Sequence, residues 1–140
     1  METTMEKTKI INGKEYCLTP FSNFKNTNLK GVNLRWANLR GSSFESSHLE
    51  DADLSFADLR GSNFKNADLR GVRLQGSKLI GSTFENANLK GAVLKDAELM
   101  DADFRHADLR GIDFTSVEMN GVDLENAKIF SGWMLVKRRR

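Results

Sequence analysis

The residue types that most often perform chemistry are few in this chain and far apart. Its 140 residues include two histidines, His48 and His106, and one cysteine, Cys17. A zinc site needs three or four ligands that converge on one point, and these three residues are too widely spaced to supply them. The sequence also contains no glycine-rich phosphate loop and no nucleophile motif. We therefore expect no enzyme activity, no cofactor and no metal site.

Aspartates are frequent, but most of them occupy one fixed position, immediately before a large apolar residue. They are Asp53, Asp58, Asp68, Asp103, Asp108, Asp113 and Asp123. A short carboxylate side chain can accept a hydrogen bond from the backbone of a neighbouring turn. The pattern thus predicts a structural role in turns for these carboxylates, without acid–base catalysis.

A large apolar residue recurs at every fifth position from Phe24 to Ile129, in 22 consecutive frames. This spacing fits neither the turn of an α-helix nor the heptad of a coiled coil. A small or β-branched residue stands two positions before each apolar centre, as Ala52 does before Leu54. Residues two apart in an extended segment point to the same face, so both side chains point inward. The pattern predicts short strands around a narrow core.

In a continuous extended strand, residues five apart would point to opposite faces, because side chains alternate with a period of two. A corner after each short strand is therefore needed to keep every large apolar residue pointing inward. The position two after each centre is mostly Gly or Asn, as at Gly61 and Asn66, and both residues accept a positive φ. Five phenylalanine centres lie 20 residues apart and predict one core column: Phe24, Phe44, Phe64, Phe84 and Phe104. The sequence therefore predicts an all-β, four-sided parallel β-helix of about five and a half coils.

Several segments resemble the A(D/N)LXX motif of the pentapeptide repeat family, among them Ala57-Asp58-Leu59-Arg60-Gly61 and Ala107-Asp108-Leu109-Arg110-Gly111. The resemblance covers residues 22–131. It implies a right-handed quadrilateral β-helix and a non-enzymatic role. The best understood branch of that family comprises quinolone-resistance proteins that bind DNA gyrase, so the resemblance also implies a gyrase-binding DNA mimic as one alternative function.

Composition is typical of a cytoplasmic protein, with 39% hydrophobic residues and a mean hydropathy of −0.47. The chain has no apolar run of membrane-spanning length, and its first residues have no apolar signal segment. A single cysteine fits a reducing compartment, and we expect Cys17 to be packed beneath an N-terminal cap. These features predict a bacterial cytoplasmic protein with no membrane partner.

The two ends of the repeat array require protection from edge-to-edge pairing. Residues 1–21 include Asn12-Gly13 between two strand-like segments, which predicts a capping hairpin before the β-solenoid of residues 22–131. Residues 132–140 form an apolar segment and a basic tail. The apolar candidates for an end cap or a C-terminal homodimer contact are Phe130, Trp133, Met134 and Leu135.

Four apolar residues occupy outward positions of the repeat and are candidates for contact with an unidentified protein partner. Trp36 and Phe56 stand at corners 20 residues apart, so the two rings should stack on one outside edge. Ile80 and Met100 form a similar pair at another corner. Adjacent exposed apolar residues can form a patch that a partner recognises.

Two columns of charge follow from the 20-residue period. The residues after the phenylalanine column alternate in sign and predict a surface ladder: Lys25, Glu45, Lys65, Glu85, Arg105 and Glu125. A second column is mostly basic and comprises Lys30, Glu50, Arg70, Lys90 and Arg110. We call this second column the basic stripe; with the tail of residues 137–140 it could bind nucleic acid weakly, but neighbouring aspartates oppose that function.

The function that the sequence favours is a protein-binding or structural scaffold without enzyme activity. The gyrase-binding DNA mimic is the first alternative, although residues 24–129 carry only two more acidic than basic side chains. Nucleic-acid binding through the basic stripe and tail is the second alternative.

Overall fold

The computed structural model describes residues 8–129, and it begins with a two-stranded antiparallel hairpin. Strand β1 spans Thr8–Ile11 and β2 spans Lys14–Cys17. The turn between them uses Asn12 at φ 52° and Gly13 at φ 80°, the two positive φ values that a type I′ hairpin turn needs. Ile11 is buried and belongs to the main core, so the hairpin is anchored to the rest of the protein.

The remainder of the described chain is a solenoid held by parallel β-bridges between residues 20 apart. Examples are Asn63 with Thr83 and Asp68 with Asn88. Bridged residues recur at every fifth position, and each bridge joins residues 20 apart. One coil therefore contains four bridged positions and has four sides. We number the faces by the core residues of the first coil: Phe24, Leu29, Leu34 and Leu39 lie on the first, second, third and fourth faces.

Backbone hydrogen bonds join each coil to the next in the same way on all four faces. The Phe64 amide donates to the Thr83 carbonyl at 2.7 Å, and the Thr83 amide donates to the Ser62 carbonyl at 3.0 Å. At the corner, the Ala67 amide donates to the Phe64 carbonyl at 3.0 Å. These bonds pair the polar backbone groups that a strand of only a few residues would leave unsatisfied.

The corner residue has a positive φ at every repeat from residue 26 to residue 111. Gly61 and Asn66, at 65° and 61°, follow the prediction. Larger residues share this conformation, including Trp36, Phe56 and His106 at 63°, 60° and 61°. The corner geometry is therefore a property of the fold, and the side chain at that position conforms to it.

The core is a narrow column of large apolar side chains flanked by small ones. Phe44, Phe64 and Phe84 have no exposed surface, and neighbouring rings in the column are 4.6–5.1 Å apart from Phe24 to Phe104. Small inward side chains leave room for these rings. Ser62 is buried among them, and its hydroxyl donates to the Leu39 carbonyl at 3.0 Å. Buried hydroxyls that are hydrogen-bonded in this way avoid a desolvation penalty.

The ladder is interrupted once within residues 8–129, on the third face. Val93 bridges Arg73 in the preceding coil, but Asp113 makes no bridge to Val93. Phe114 follows Asp113 and is the only phenylalanine centre on this face, where the earlier coils have leucine. The interruption therefore coincides with a change from leucine to phenylalanine in the core of this face, and overpacking by the larger ring is the cause that we test below. The sequence frame continues without a break through this region, so the interruption was not predicted.

The sequence predictions for the two ends have different outcomes. Cys17 is exposed at the end of β2, which corrects the expectation that it is packed under the cap. The proposed C-terminal contacts, Phe130, Trp133, Met134 and Leu135, lie outside the described residues. Within residues 8–129, no helix is long and apolar enough to cross a membrane.

Candidate interaction surface

The most distinctive surface feature is an aromatic stack on the corner between the third and fourth faces. The rings of Trp36 and Phe56 lie 4.5 Å apart and are within 13° of parallel. Trp36 is 66% exposed, and Phe56 is half-buried. Phe56 lies in turn against Gly76, the next residue in the corner column, where a β-carbon would come within 2.5 Å of the ring. The absence of a side chain at Gly76 leaves the room that Phe56 occupies.

Both aromatic residues adopt the left-handed backbone conformation. Glycine adopts a positive φ at no steric cost, whereas a bulky L-residue there is destabilised by roughly 1–2 kcal/mol. Trp36 and Phe56 thus stand where glycine would relieve backbone strain, and neither ring is placed in the core. Stacking of the two rings offsets part of this cost, since an aromatic pair contributes about 0.5–1.5 kcal/mol.

An arginine completes this corner. The guanidinium carbon of Arg35 lies 5.6 Å from the centre of the Phe56 ring, within the range of a cation–π contact. Its Nη1 atom lies 3.6 Å from Oδ2 of Asp53. Arg35 was not among the sequence candidates, although its position immediately before Trp36 could have indicated it. We call Arg35, Trp36 and Phe56 the aromatic corner.

Phe21 is a further exposed aromatic residue that sequence analysis missed. It is 74% exposed, has a φ of 63°, and lies against Gly41 on the next corner. Its amide donates to the carbonyl of Arg40 at 2.8 Å. Phe21 occupies the same kind of corner position as Trp36, and extending the five-residue frame by one repeat would have found it.

Ile80 and Met100 do not join the aromatic corner. Both lie on the opposite edge of the fourth face, in the third and fourth coils. Ile80 is half-buried, and Met100 is 38% exposed. Carboxylates surround Met100 in sequence and include Glu98 and Asp101. The two apolar pairs thus share one face but lie at different heights along the solenoid.

The arginines of the basic stripe are occupied by neighbouring carboxylates. Nη2 of Arg70 lies 2.6 Å from Oδ2 of Asp68, and Arg110 makes the same contact with Asp108. The hydrogen bonds from the Arg110 guanidinium hold the pKa of the Asp108 carboxyl below its usual value, despite the opposing effect of burial. Such pairing reduces the positive potential that a nucleic-acid phosphate would meet.

Aspartates of the repeat also bind their own turns, as the sequence predicted. The backbone amide two residues later donates to the carboxylate, for example from Ser55 to Asp53 at 3.0 Å and from Arg105 to Asp103 at 2.9 Å. The charge ladder beside the phenylalanine column is partly formed. Lys65 and Glu85 approach to 3.4 Å, and Lys25 and Glu45 to 3.7 Å.

One group of possible metal ligands exists among the described residues. Ligand atoms of His48, Glu50 and Asp68 all lie within 4.8 Å of one another, so the histidine meets carboxylates of its own coil and the next. The sequence analysis considered only the two histidines and the cysteine as ligands, and it missed this group. The guanidinium of Arg70 already donates to both carboxylate oxygens of Asp68, which leaves that ligand occupied by a cation.

The repeat geometry matches a known family. A model of pentapeptide repeats matches the chain in eight copies, over residues 21–45, 27–66, 47–86, 67–105 and 97–129. The chain belongs to the pentapeptide repeat family. Proteins of this family fold as right-handed quadrilateral β-helices and are generally non-enzymatic structural or binding modules. A search of curated protein sequences gives no significant match.

Solved structures of pentapeptide repeat proteins share the fold. One from Nostoc Pcc 7120 has a TM-score of 0.62 and 29% identity, with coverage of 76% of this chain and 84% of that one. One from the Arabidopsis thaliana thylakoid lumen has a TM-score of 0.53 and 29% identity, with coverage of 66% and 70%. QnrB1, a plasmid-mediated fluoroquinolone resistance protein, has a TM-score of 0.54 and 24% identity, with coverage of 84% and 69%, and this likeness shows the fold alone.

Proposed function

We propose that this pentapeptide repeat protein is a non-enzymatic protein-binding module whose contact site is the aromatic corner. The observation that carries the proposal is the exposed Trp36–Phe56 stack in left-handed corners. Strained residues that persist in a fold, where an unstrained alternative exists, indicate a role beyond stability. Glycine is that alternative, and Gly76 occupies the next position of the same column.

The chemistry of the corner supports a protein partner. Tryptophan, tyrosine and arginine dominate the residues that contribute most to protein–protein affinity. Arg35 and Trp36 supply two such residues beside one another, and the Phe56 ring holds both in place. Large aromatic rings held rigidly by stacking lose little conformational entropy when a partner covers them.

The two alternative functions have less physical support. A DNA mimic requires a continuous acidic surface, whereas acidic and basic side chains alternate between neighbouring coils of the first face. Nucleic-acid binding requires free cations, whereas Arg70 and Arg110 of the basic stripe are paired with aspartates. We further propose that the protein acts in a reducing, cytoplasmic compartment, where the exposed thiol of Cys17 stays reduced.

The coil number is also part of this proposal. The 22 repeat frames at four per coil give about five and a half coils. A scaffold of that length presents each corner column as a straight line of outward side chains, with a spacing of about 4.8 Å.

Affinity capture from the native host tests the proposed contact site. Tagged wild type, a Trp36→Ala/Phe56→Ala variant and a Lys90→Ala control on the second face are compared by quantitative mass spectrometry. We expect at least one protein to be enriched by wild type and the control and lost with the double variant. Partners retained equally by all three chains would show that the aromatic corner is not the contact site.

A further inference from the structure

Positive charge is concentrated at the N-terminal end of the described chain. The hairpin and the first coil, residues 8–41, contain six basic side chains and one carboxylate, Glu15. The remaining described residues, 42–129, contain ten basic and sixteen acidic side chains. The solenoid thus begins with a basic end, and acidic side chains are in excess in the coils that follow. The six basic residues of this end are Lys9, Lys14, Lys25, Lys30, Arg35 and Arg40.

Asparagine in place of aspartate produces much of this difference. In later coils, each arginine that follows an aspartate by two residues pairs with it, as Arg60 does with Asp58 at 2.6 Å. In the first coil the same position is asparagine on all four faces. The amide still binds the turn, since the Arg35 backbone N–H donates to Oδ1 of Asn33 at 3.1 Å, but it carries no charge to neutralise the following cation. The four asparagines are Asn23, Asn28, Asn33 and Asn38.

Arg40 is the basic residue on the fourth face of the first coil. It is exposed, and within residues 8–129 it forms no ion pair. The corresponding residue of the second coil, Arg60, is half-buried and paired with Asp58. A guanidinium that has no partner can bind a carboxylate through two parallel hydrogen bonds. Arg40 is therefore a free site for an anionic group.

Largely exposed aromatic rings stand at the two corners beside Arg40. Trp36, in the aromatic corner, lies where the fourth face begins. Phe21 lies against Gly41 where the face ends, and its backbone N–H donates to the Arg40 carbonyl at 2.8 Å. The free guanidinium thus has an apolar ring on each side. We call Phe21, Arg35, Trp36 and Arg40 the first-coil site.

We propose that the first-coil site binds a short acidic segment of a partner protein, in which carboxylates lie close to apolar side chains. This proposal rests on the proposed function and names the class of partner that the aromatic corner recognises. One carboxylate of the segment pairs with Arg40, and apolar side chains next to it cover Trp36 and Phe21. The excess positive charge of residues 8–41 steers an acidic partner to this end of the solenoid.

The charge on the rest of the fourth face favours a short ligand. In the fourth and fifth coils this face has four carboxylates and no cation from corner to corner. They begin about 14 Å from the first coil. A nucleic-acid strand or an anionic membrane along this face would meet these like charges, whereas a short segment on the first two coils avoids them. The four carboxylates belong to Asp96, Glu98, Asp101 and Glu118.

Selection from a display library of random short peptides tests the class of partner. The full chain and its Trp36→Ala variant are immobilised and used in parallel. We expect the peptides enriched by wild type over Trp36→Ala to have an excess of aspartate and glutamate, together with aromatic or aliphatic residues. Enriched peptides that are neutral or basic would overturn the proposal, and so would the absence of any peptide that prefers wild type.

The most enriched peptide, labelled with fluorescein, then tests Arg40 by fluorescence anisotropy. Asn38→Asp gives Arg40 the carboxylate that Asp58 gives Arg60, so the guanidinium is kept but neutralised, and we expect binding about fivefold weaker. Asp58→Asn releases Arg60 and should strengthen binding about threefold. Asn88→Asp, the same change on the second face, is the matched control and leaves the dissociation constant unchanged. An affinity that does not respond to Asn38→Asp would overturn the proposal.

Salt and competing ligands distinguish the acidic segment from other anions. Binding of the peptide should weaken between about 50 mM and about 500 mM salt, because exposed charges are screened. Oligo-dT and phosphatidylserine vesicles are the probes for nucleic acid and for an anionic membrane. We expect neither to displace the peptide. If either binds more tightly than the peptide and displaces it, the proposal is wrong in favour of that ligand.

Capture from the native host separates this inference from the proposed function. A partner whose capture depends on Trp36 and is unchanged by Asn38→Asp would support the aromatic corner as a contact site and overturn the acidic segment. Conversely, acidic peptides that respond to Asn38→Asp, together with host partners that ignore Trp36→Ala, would support the acidic ligand and contradict the proposed function.

Discussion

The rings of Phe64 and Phe84 lie 4.8 Å apart and are parallel to within 1°. This distance is the spacing of adjacent parallel strands, so one coil of the backbone sets one step of the core. The two residues are 20 apart in sequence and identical in environment, with no exposed surface. The core thus repeats the geometry of the backbone ladder.

The first prediction concerns the stability of this column. Phe64→Ala leaves a cavity between Phe44 and Phe84 and should lower the free energy of unfolding by about 3–5 kcal/mol. Lys65→Ala, on the surface beside it, should cost no more than about 1 kcal/mol. Urea denaturation of both variants measures the difference, and equal losses would contradict the role of the ring in the core.

The second prediction concerns the strained corner. Trp36→Gly removes the stacking contact with Phe56 but also relieves the left-handed strain, so the free energy of unfolding should change by less than about 1 kcal/mol. Gly61→Trp creates the strain at a corner without an aromatic neighbour and should be destabilising by about 1–2 kcal/mol. Chemical denaturation compares the two variants. A large loss of stability with Trp36→Gly would mean that the tryptophan is retained for folding.

The third prediction concerns acid stability. Hydrogen bonds from Arg105 hold the pKa of the Asp103 carboxyl below its usual value, and burial opposes the effect. A depressed carboxylate pKa stabilises the folded state above the unfolded pKa of about 3.9, and this contribution is lost as pH falls through the lower folded pKa. Asp103→Asn retains a turn-binding oxygen without the charge.

The measurement is the free energy of unfolding of wild type and Asp103→Asn from about pH 7 to pH 2. The variant should be slightly less stable at neutral pH, and the difference should shrink below about pH 4. If the difference stays constant across that range, the ion pair with Arg105 does not contribute.

The fourth prediction concerns the interrupted ladder. The Leu74 amide donates to the Val93 carbonyl at 2.8 Å, whereas no corresponding bond joins Leu94 to Asp113 within the described chain. The Leu94 amide should therefore exchange its hydrogen faster than the Leu74 amide in native-state hydrogen exchange. Phe114→Leu should slow exchange at Leu94 by restoring the leucine spacing of this face. Unchanged exchange at Leu94 would show that the phenylalanine is not the cause.

The fifth prediction addresses the gyrase alternative. Purified protein should neither inhibit DNA supercoiling by gyrase nor relieve its inhibition by a quinolone, because the surface formed by residues 8–129 has no continuous acidic stripe. Supercoiling assays with increasing protein, up to micromolar concentrations, measure both effects. A dose-dependent effect in either assay would favour the DNA-mimic function over the aromatic corner.

The sequence by itself determined the repeat and its period. A large apolar residue at every fifth position, with glycine or asparagine at most corners, predicts short strands that are joined by tight turns, four to each coil. The 20-residue spacing of Phe64 and Phe84 then fixed the column in which these rings lie. Local patterns were sufficient here because each coil contacts only its neighbours.

Only the tertiary structure decided how the surface is arranged. The sequence predicted that Trp36 and Phe56 stack at one corner, and their rings do lie 4.5 Å apart. The position of Arg35 over the Phe56 ring and the accommodation of Phe56 by Gly76, in contrast, depend on how side chains lean between coils. The same holds for the missing bridge at Asp113. How the core of this face accommodates Phe114 in place of leucine depends on close packing in three dimensions, which does not appear in a pattern of residue types.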